Sequence, residues 1–330
     1  MNRISWIDMS KGFAIICVVL GHSGYSAIEI FVNSFHMSLF FILAGYTFDA
    51  KKDAISFVKQ KSIRLLLPYF FTLFVDVSHD LIVSYIFNHD NKSLFSITTY
   101  RCKQYVLGLG TSGARTSWTN IEPVGVLWFI PCLFLAIILF YCLINLVHDN
   151  MTILFTICIA LSLIGYFISI YLFLPWSFDI SLFSMIFMFA GYYFKHTNFI
   201  EHIPKMHYVL LIIIWFVGLN SYPITMNERN YHTYFIPVIT AISATIIIFK
   251  FLRLLDSIPL VQIPLSYLGK YSIIIMIFHT YIKSSWIKGI PWGLPFCILL
   301  SIVRIIICVC LVEIIRRIPI LNKIYGIVTY

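Results

Sequence analysis

Apolar runs of about twenty residues, separated by short polar breaks, fill most of this 330-residue chain. Crossing the hydrocarbon core of a bilayer takes roughly 20 apolar residues in a helix, so each run predicts a membrane span. The pattern places spans at 12–30, 34–49, 64–88, 124–147, 151–174, 178–195, 207–222, 233–252, 271–288 and 294–315. The expected architecture is an all-α integral membrane protein, a bundle of about ten transmembrane helices. Pro68, Pro131, Pro237 and Pro295 fall in or near these spans. Membrane helices tolerate proline where neighbours satisfy the freed backbone groups. The run 34–49 is short and predicts tilt or local thinning of the bilayer. Spans and short loops use nearly the whole chain, so residues 1–330 read as one transmembrane domain with no soluble catalytic domain beside it.

Composition supports this reading, with 60% hydrophobic and only 11% charged residues. A soluble domain carries about a quarter charged residues. The net charge of +9 fits the positive-inside rule better than a nucleic-acid partner. With the N-terminus in the cytoplasm, fifteen Lys and Arg fall on cytoplasmic segments and seven on outer ones, and Arg304 stays inside the last span. An even span count then puts both termini in the cytoplasm. The first span has no cleavage site of small residues behind it and reads as retained. Seven of the eight cysteines lie in apolar runs and none forms a CxxC pair, so neither a disulfide framework nor a zinc site is expected. Residues 89–123 form the one long connection, which ends in Trp118 and Glu122.

Polar groups inside membrane helices are costly and are functional candidates. His22 lies in the first span, eleven residues after Lys11. That spacing is about 16 Å along a helix, close to the reach of a flexible thioester arm whose phosphates are held at the membrane surface. Lys61 and Arg64 stand three residues apart before the third span, expected on one helix face. With Lys11 they form a candidate phosphate clamp, or else they are topogenic charge. Asp76, His79 and Asp80 share one face of the third span. They could orient His22, bind sugar hydroxyls, or line a watery cavity; a metal site is the minor reading, and none is expected. His36 and His279 lie at membrane depth and serve either as acceptor contacts or as interhelical hydrogen-bond partners. Trp128 fits an interfacial aromatic belt or a sugar-stacking platform. Gly45 is read as permitting close helix packing.

The segments RISWIDMSKGFAIICVVLGH, FHMSLFFILAGYTF and FVKQKSIRLLLPYF resemble the opening of membrane acyltransferase family 3 proteins, especially the fucose 4-O-acetylase-like group. VLWFIPCLF and YLGKYSIIIMIFH resemble later landmarks of that group. The resemblance implies an acyl donor, most simply acetyl-CoA, taken from the cytoplasm as cosubstrate. It implies a cell-envelope carbohydrate acceptor, free or lipid-linked, and a home in the bacterial inner membrane among lipids, with self-association open. His22 matches the family's catalytic histidine, Lys11 its basic partner, and Lys61 with Arg64 its basic pair. The FFxxSG-type motif is similar to Phe40–Gly45, but Ala44 stands where serine is usual.

Two chemical routes follow for His22: removing a proton from the acceptor hydroxyl, or carrying the acyl group itself. Asp76 is a candidate to orient it. Succinyl transfer is an alternative to acetyl transfer. The rival from another class is a carrier or flippase for a polar or lipid-linked substrate, in which the buried His and Asp groups bind proton or cargo. A membrane sensor or scaffold is a third reading. A basic clamp aligned with one histidine favours the enzyme.

Overall fold

The computed structural model describes residues 4–49, 53–88, 94–111, 122–148, 150–221, 224–231, 233–284 and 293–326. Lys51, Lys52, Lys92, Arg115, Trp118 and the tail of the expected 271–288 span lie outside these residues. The described residues are all-helical apart from turns and an isolated bridge between Thr225 and Asn230.

Every expected span finds a helix, but the count of about ten is not reached by length and hydropathy. Six helices are long and apolar enough to cross a membrane among the described residues, or eight if two bent pairs each count as one span. One shorter apolar helix is α12 (Lys205–Ser221), and α1 (Ser5–Gly21), which carries Asp8 and Lys11, also has 17 residues. The second span is built from α2 (Ser26–Asn33) and α3 (His36–Tyr46), with a break at Ser34 and Phe35.

The first helix is displaced from the expected 12–30 toward the N-terminus. Hydropathy rejects its opening turns because they contain Asp8 and Lys11. The fold accepts them because Lys11 Nζ lies 3.5 Å from Asp8 Oδ1, so the two charges offset one another. The helix ends where the glycines begin: Gly24 has φ of +83°, a conformation that costs a side-chain-bearing residue free energy. Lys11 therefore stands in the middle of α1, and His22 caps its end instead of lying in the interior of a span.

The third span continues from α4 (Ala54–Lys61) through a π-helical turn at Ser62–Leu66 into α5 (Leu67–Val83). Pro68 explains the turn. It has no N–H for the carbonyl four residues back, at Arg64, and its ring crowds that carbonyl; a widened turn relieves both. The same turn breaks the three-residue register expected to put Lys61 and Arg64 on one face. The 89–123 connection is likewise not all loop, since α6 (Leu94–Leu107) occupies part of it.

The later spans run as a short 3₁₀ turn Gly125–Trp128, α7 (Phe129–Val147) and α8 (Met151–Tyr171). A pair follows, Pro175–Phe183 and α10 (Met185–His196), bent by 52°, in which α9 is Phe178–Phe183. α11 (Phe199–His202), α12 and α13 (Phe235–Leu255) precede a second bent pair. There α14 (Pro259–Lys270) meets Ser272–Tyr281 at 65°, and α15 is Ser272–Phe278. α16 (Leu294–Arg317) and α17 (Pro319–Ile324) complete the order.

Glycines set the tightest helix crossings. A Cβ on Gly12 of α1 would lie 1.9 Å from Leu265 O of α14, and one on Gly269 would lie 1.8 Å from Asp8 O. Gly45 of α3 and Gly191 of α10 are matched in the same way, at 2.0 Å from Met188 O and 1.9 Å from Ile42 O. Lipid tails are as apolar as leucine, so membrane helices associate through such close backbone approach. This is the role expected of Gly45. Asp179 of α9 and Arg229 have fully buried side chains and form a 2.9 Å ion pair. Phe173 lies against the guanidinium, 4.0 Å from its centre.

Candidate functional site

α1 delivers His22 to a polar junction between four parts of the fold. Gly21 packs closely on Val32 of α2, which brings the end of α1 against the break between α2 and α3. His36 begins α3 at that break, and its Nδ1 donates to Val32 O at 2.7 Å. It lies within electrostatic reach of His22. From the other side, the 65° bend after α14 turns α15 alongside the second half of α1. His279 follows α15, and its ring centroid is 5.3 Å from that of His22. The exposures differ: His22, expected to be buried in the first span, is an exposed residue because α1 ends just before it, whereas His36 is 8% exposed and His279 is fully buried.

Arg304 of α16 closes the junction. It is 6% exposed. Its Nη1 donates to His22 O at 2.6 Å and its Nε to Ile282 O at 3.1 Å. One guanidinium thus fastens the segment bearing His22 to the segment bearing His279. Sequence reasoning left Arg304 without a role. Its position inside an apolar run was the available signal, because an arginine at membrane depth is costly and calls for a partner.

Asp76 does not reach His22 directly. It accepts hydrogen bonds from Tyr105 of α6, at 2.7 Å, and from Tyr281, two residues beyond His279. Its connection to the histidines therefore runs through the His279–Tyr281 segment. Asp80 accepts a 2.6 Å hydrogen bond from Arg101 Nε and contacts His79 at 3.2 Å. Asp76 and Asp80 do share a face, as expected, and that face holds α6. Both tyrosines and Arg101 were missed because nothing in local spacing marks a tyrosine or arginine of one helix as the partner of a carboxylate on another. Tyr325, beyond α17, packs against Phe71 of α5 and Phe278 of α15.

The basic residues are seated on their own helices. Lys11 faces Asp8, and Lys61 Nζ stands 5.3 Å over the Phe57 ring. Arg64 is exposed within the π-helical turn. Trp128 is 5% exposed, with Gly110 packed on its ring, and the 3₁₀ turn that carries it lies against α15. It is packed inside the protein instead of in an interfacial belt. Two shallow recesses of about 440 and 470 Å³ flank α6, and neither includes His22. Among the described residues no group of three His, Cys, Asp or Glu side chains is placed to hold a metal ion.

The arrangement sets His22, an exposed residue, near the buried imidazoles of His36 and His279 and beside a buried arginine that faces main-chain carbonyls. Such a junction can carry an acyl group or move a proton. The sequence profile of a family described as an acyltransferase domain matches residues 4–313, essentially the whole chain. No curated protein and no solved structure matches it.

Proposed function

The chain belongs to membrane acyltransferase family 3, and from that premise we propose that it transfers an acyl group from acyl-CoA to a hydroxyl of a cell-envelope carbohydrate through His22. The observation that carries this reading is the placement of His22, an exposed residue at the end of α1, beside buried His279 and Arg304. α1 is continuous from Ser5 to Gly21. Lys11 and His22 are therefore about 16 Å apart along one rigid element.

In this reading both termini are cytoplasmic, in a bacterial inner membrane. Acetyl-CoA enters from that side, with Lys11, Lys61 and Arg64 on its phosphates. Lysine serves as a point charge, and arginine bonds two phosphate oxygens at once. A ring nitrogen of His22 attacks the thioester carbonyl. The N–C bond forms, the C–S bond breaks, and CoA leaves as the thiolate, which takes up the proton that His22 gives up. The acceptor hydroxyl, free or lipid-linked, then attacks the acyl-histidine. Acceptor contacts fall to His36 and His79. Asp76, Asp80 and Trp128 hold the walls that carry them. Acetyl is the simplest acyl group, and succinyl is the alternative.

The two bent spans favour the rival reading, since broken helices line the cargo sites of carriers. One experiment separates the two. Membranes receive radiolabelled acetyl-CoA, and label in envelope carbohydrate is compared for wild type and His22→Ala at equal expression. Label that vanishes in the variant supports the transferase. Transfer undiminished in the variant removes the role of His22, and no transfer by either protein turns the reading toward a carrier.

A further inference from the structure

Building on the assignment of His22 as acyl carrier, we infer that His279 is a second catalytic base, which takes the proton of the acceptor hydroxyl and returns it to His22. The first support is its tautomer. His279 Nδ1 lies 3.0 Å from Ile275 O and 2.9 Å from Met276 O. Carbonyl oxygens only accept hydrogen bonds, so Nδ1 carries the ring proton. Nε2 on the opposite edge of the ring is then a lone pair.

The second support is that this lone pair has no partner. Nε2 is buried and makes no hydrogen bond. A buried acceptor left unpaired costs the folded protein the desolvation of that atom. Native structures keep few such atoms, and those they keep call for a reason. A group held ready for a reacting hydroxyl is such a reason. His36 makes the contrast, with its Nδ1 pinned in the same way by Val32 O; His279 is the histidine in ring contact with His22.

The third support is positional. The rings of His22 and His279 are 5.3 Å apart between centroids, and tilted by 39°. That separation puts the imidazole that carries the acyl group and the imidazole with the unpaired Nε2 side by side. Arg304 holds the two ring-bearing segments together through His22 O and Ile282 O.

The step balances as follows. The acceptor oxygen bonds to the acyl carbon, and the bond from that carbon to the His22 nitrogen breaks. The hydroxyl proton moves to His279 Nε2 and from there to the His22 nitrogen that the acyl group leaves. Both histidines end neutral, and the products are the acylated acceptor and the free enzyme. The proton delivered to the CoA thiolate belongs to the earlier half-reaction and does not involve His279.

The test uses permeabilised membranes of the native host expressing wild type, His22→Ala, His279→Asn or His279→Gln, supplied with radiolabelled acetyl-CoA. Asparagine keeps a donor for the helix carbonyls and removes the base. Two signals are read after rapid denaturation in cold neutral detergent, because an acylated imidazole hydrolyses quickly in acid: label in carbohydrate and label on the protein. In His279→Asn, carbohydrate label falls at least about 100-fold, the usual scale of a lost general base, and label accumulates on His22. The residual transfer also rises with pH, because hydroxide substitutes for the missing base. Transfer by His279→Asn within about twofold of wild type, with no protein-bound label, overturns the inference. Loss of both signals in His279→Asn and His279→Gln alike marks a packing residue and also overturns it. Transfer undiminished by His22→Ala overturns the underlying role of His22. Transfer that depends on His22 but not on His279 overturns the second base alone.

Discussion

Arg304 donates a 2.6 Å hydrogen bond to the main-chain oxygen of His22, a residue 282 positions away in the chain. The same guanidinium reaches Ile282 O. It positions the catalytic segment without being positioned by any carboxylate we find among the described residues. Hydrogen bonds from charged groups contribute about 1.5–3 kcal/mol, and 1.4 kcal/mol is about tenfold in rate. Arg304→Met is expected to lower kcat roughly 10- to 100-fold while KM for acyl-CoA stays close to wild type. Arg304→Lys, which keeps the charge and loses the fork, falls between. Steady-state release of CoA thiol from membranes measures both.

Asp76 joins α5 to two other elements at once, through Tyr105 and Tyr281. Asp76→Leu leaves the hydroxyls of buried Tyr105 and half-buried Tyr281 without their acceptor, at up to about 1–3 kcal/mol each. The expected result is a lower melting temperature and a fall in kcat as the His279–Tyr281 segment loosens. Tyr281→Phe removes one of the two bonds and is expected to show a smaller loss of both. Thermal unfolding in detergent alongside activity checks the order of the variants.

Gly12 and Gly269 face each other's backbones at distances no Cβ accepts. Gly12→Ala or Gly269→Ala must push α1 away from α14, because the obstructing atoms are main-chain oxygens and not flexible side-chain ends. Each is expected to reduce the yield of folded protein and to lower activity, since α1 carries His22. Size-exclusion profiles in detergent, compared with a control Ala substitution at Gly293, where a Cβ would meet only Pro295 Cδ at 3.9 Å, report the effect.

Asp179 and Arg229 are fully buried at 2.9 Å. Removing one partner strands a charge in an apolar setting, which costs about 3–5 kcal/mol. Asp179→Ala or Arg229→Met alone should be strongly destabilising. The double variant Asp179→Leu with Arg229→Met should recover most of the loss, because it strands neither charge. Unfolding temperatures of the three proteins decide this.

Asp53 caps α4, and its carboxylate accepts the Ser56 N–H at 2.9 Å. That hydrogen bond holds the carboxyl below its usual pKa. A depressed carboxyl stabilises the fold above its unfolded pKa, and the contribution is lost as pH falls through the folded value. The protection factor of the Ser56 amide, its exchange relative to an unstructured peptide at the same pH, should therefore fall in acid. Asp53→Asn keeps an acceptor at the cap and should show no such acid limb.

How far the sequence could be read follows the range of each interaction. Helix identity is local. A run of twenty apolar residues cannot meet its backbone hydrogen bonds in lipid except as a helix, so the described parts of the apolar runs are helical, with six to eight of the helices long and apolar enough to cross a membrane. Helix ends were less legible where charge was involved. Asp8 and Lys11 look expensive singly and are tolerated as a pair, so α1 begins earlier than hydropathy allows and His22 moves from mid-span to a cap. Pro68 was visible, but its effect on the register of Lys61 and Arg64 appears only once the widened turn is seen.

The sequence by itself determined an all-helical membrane chain, its family motifs, and the set of polar residues that apolar helices had to accommodate. The tertiary structure alone decided which of those residues meet. The 65° bend after α14 brings His279 to His22, and α16 brings Arg304 to both. Asp76, expected to serve His22, is taken instead by Tyr105 and Tyr281. Hydropathy acts along one helix and is written in its order of residues. The contacts of a site are made across helices, where the angle of a bend and the absence of two Cβ atoms set the distances.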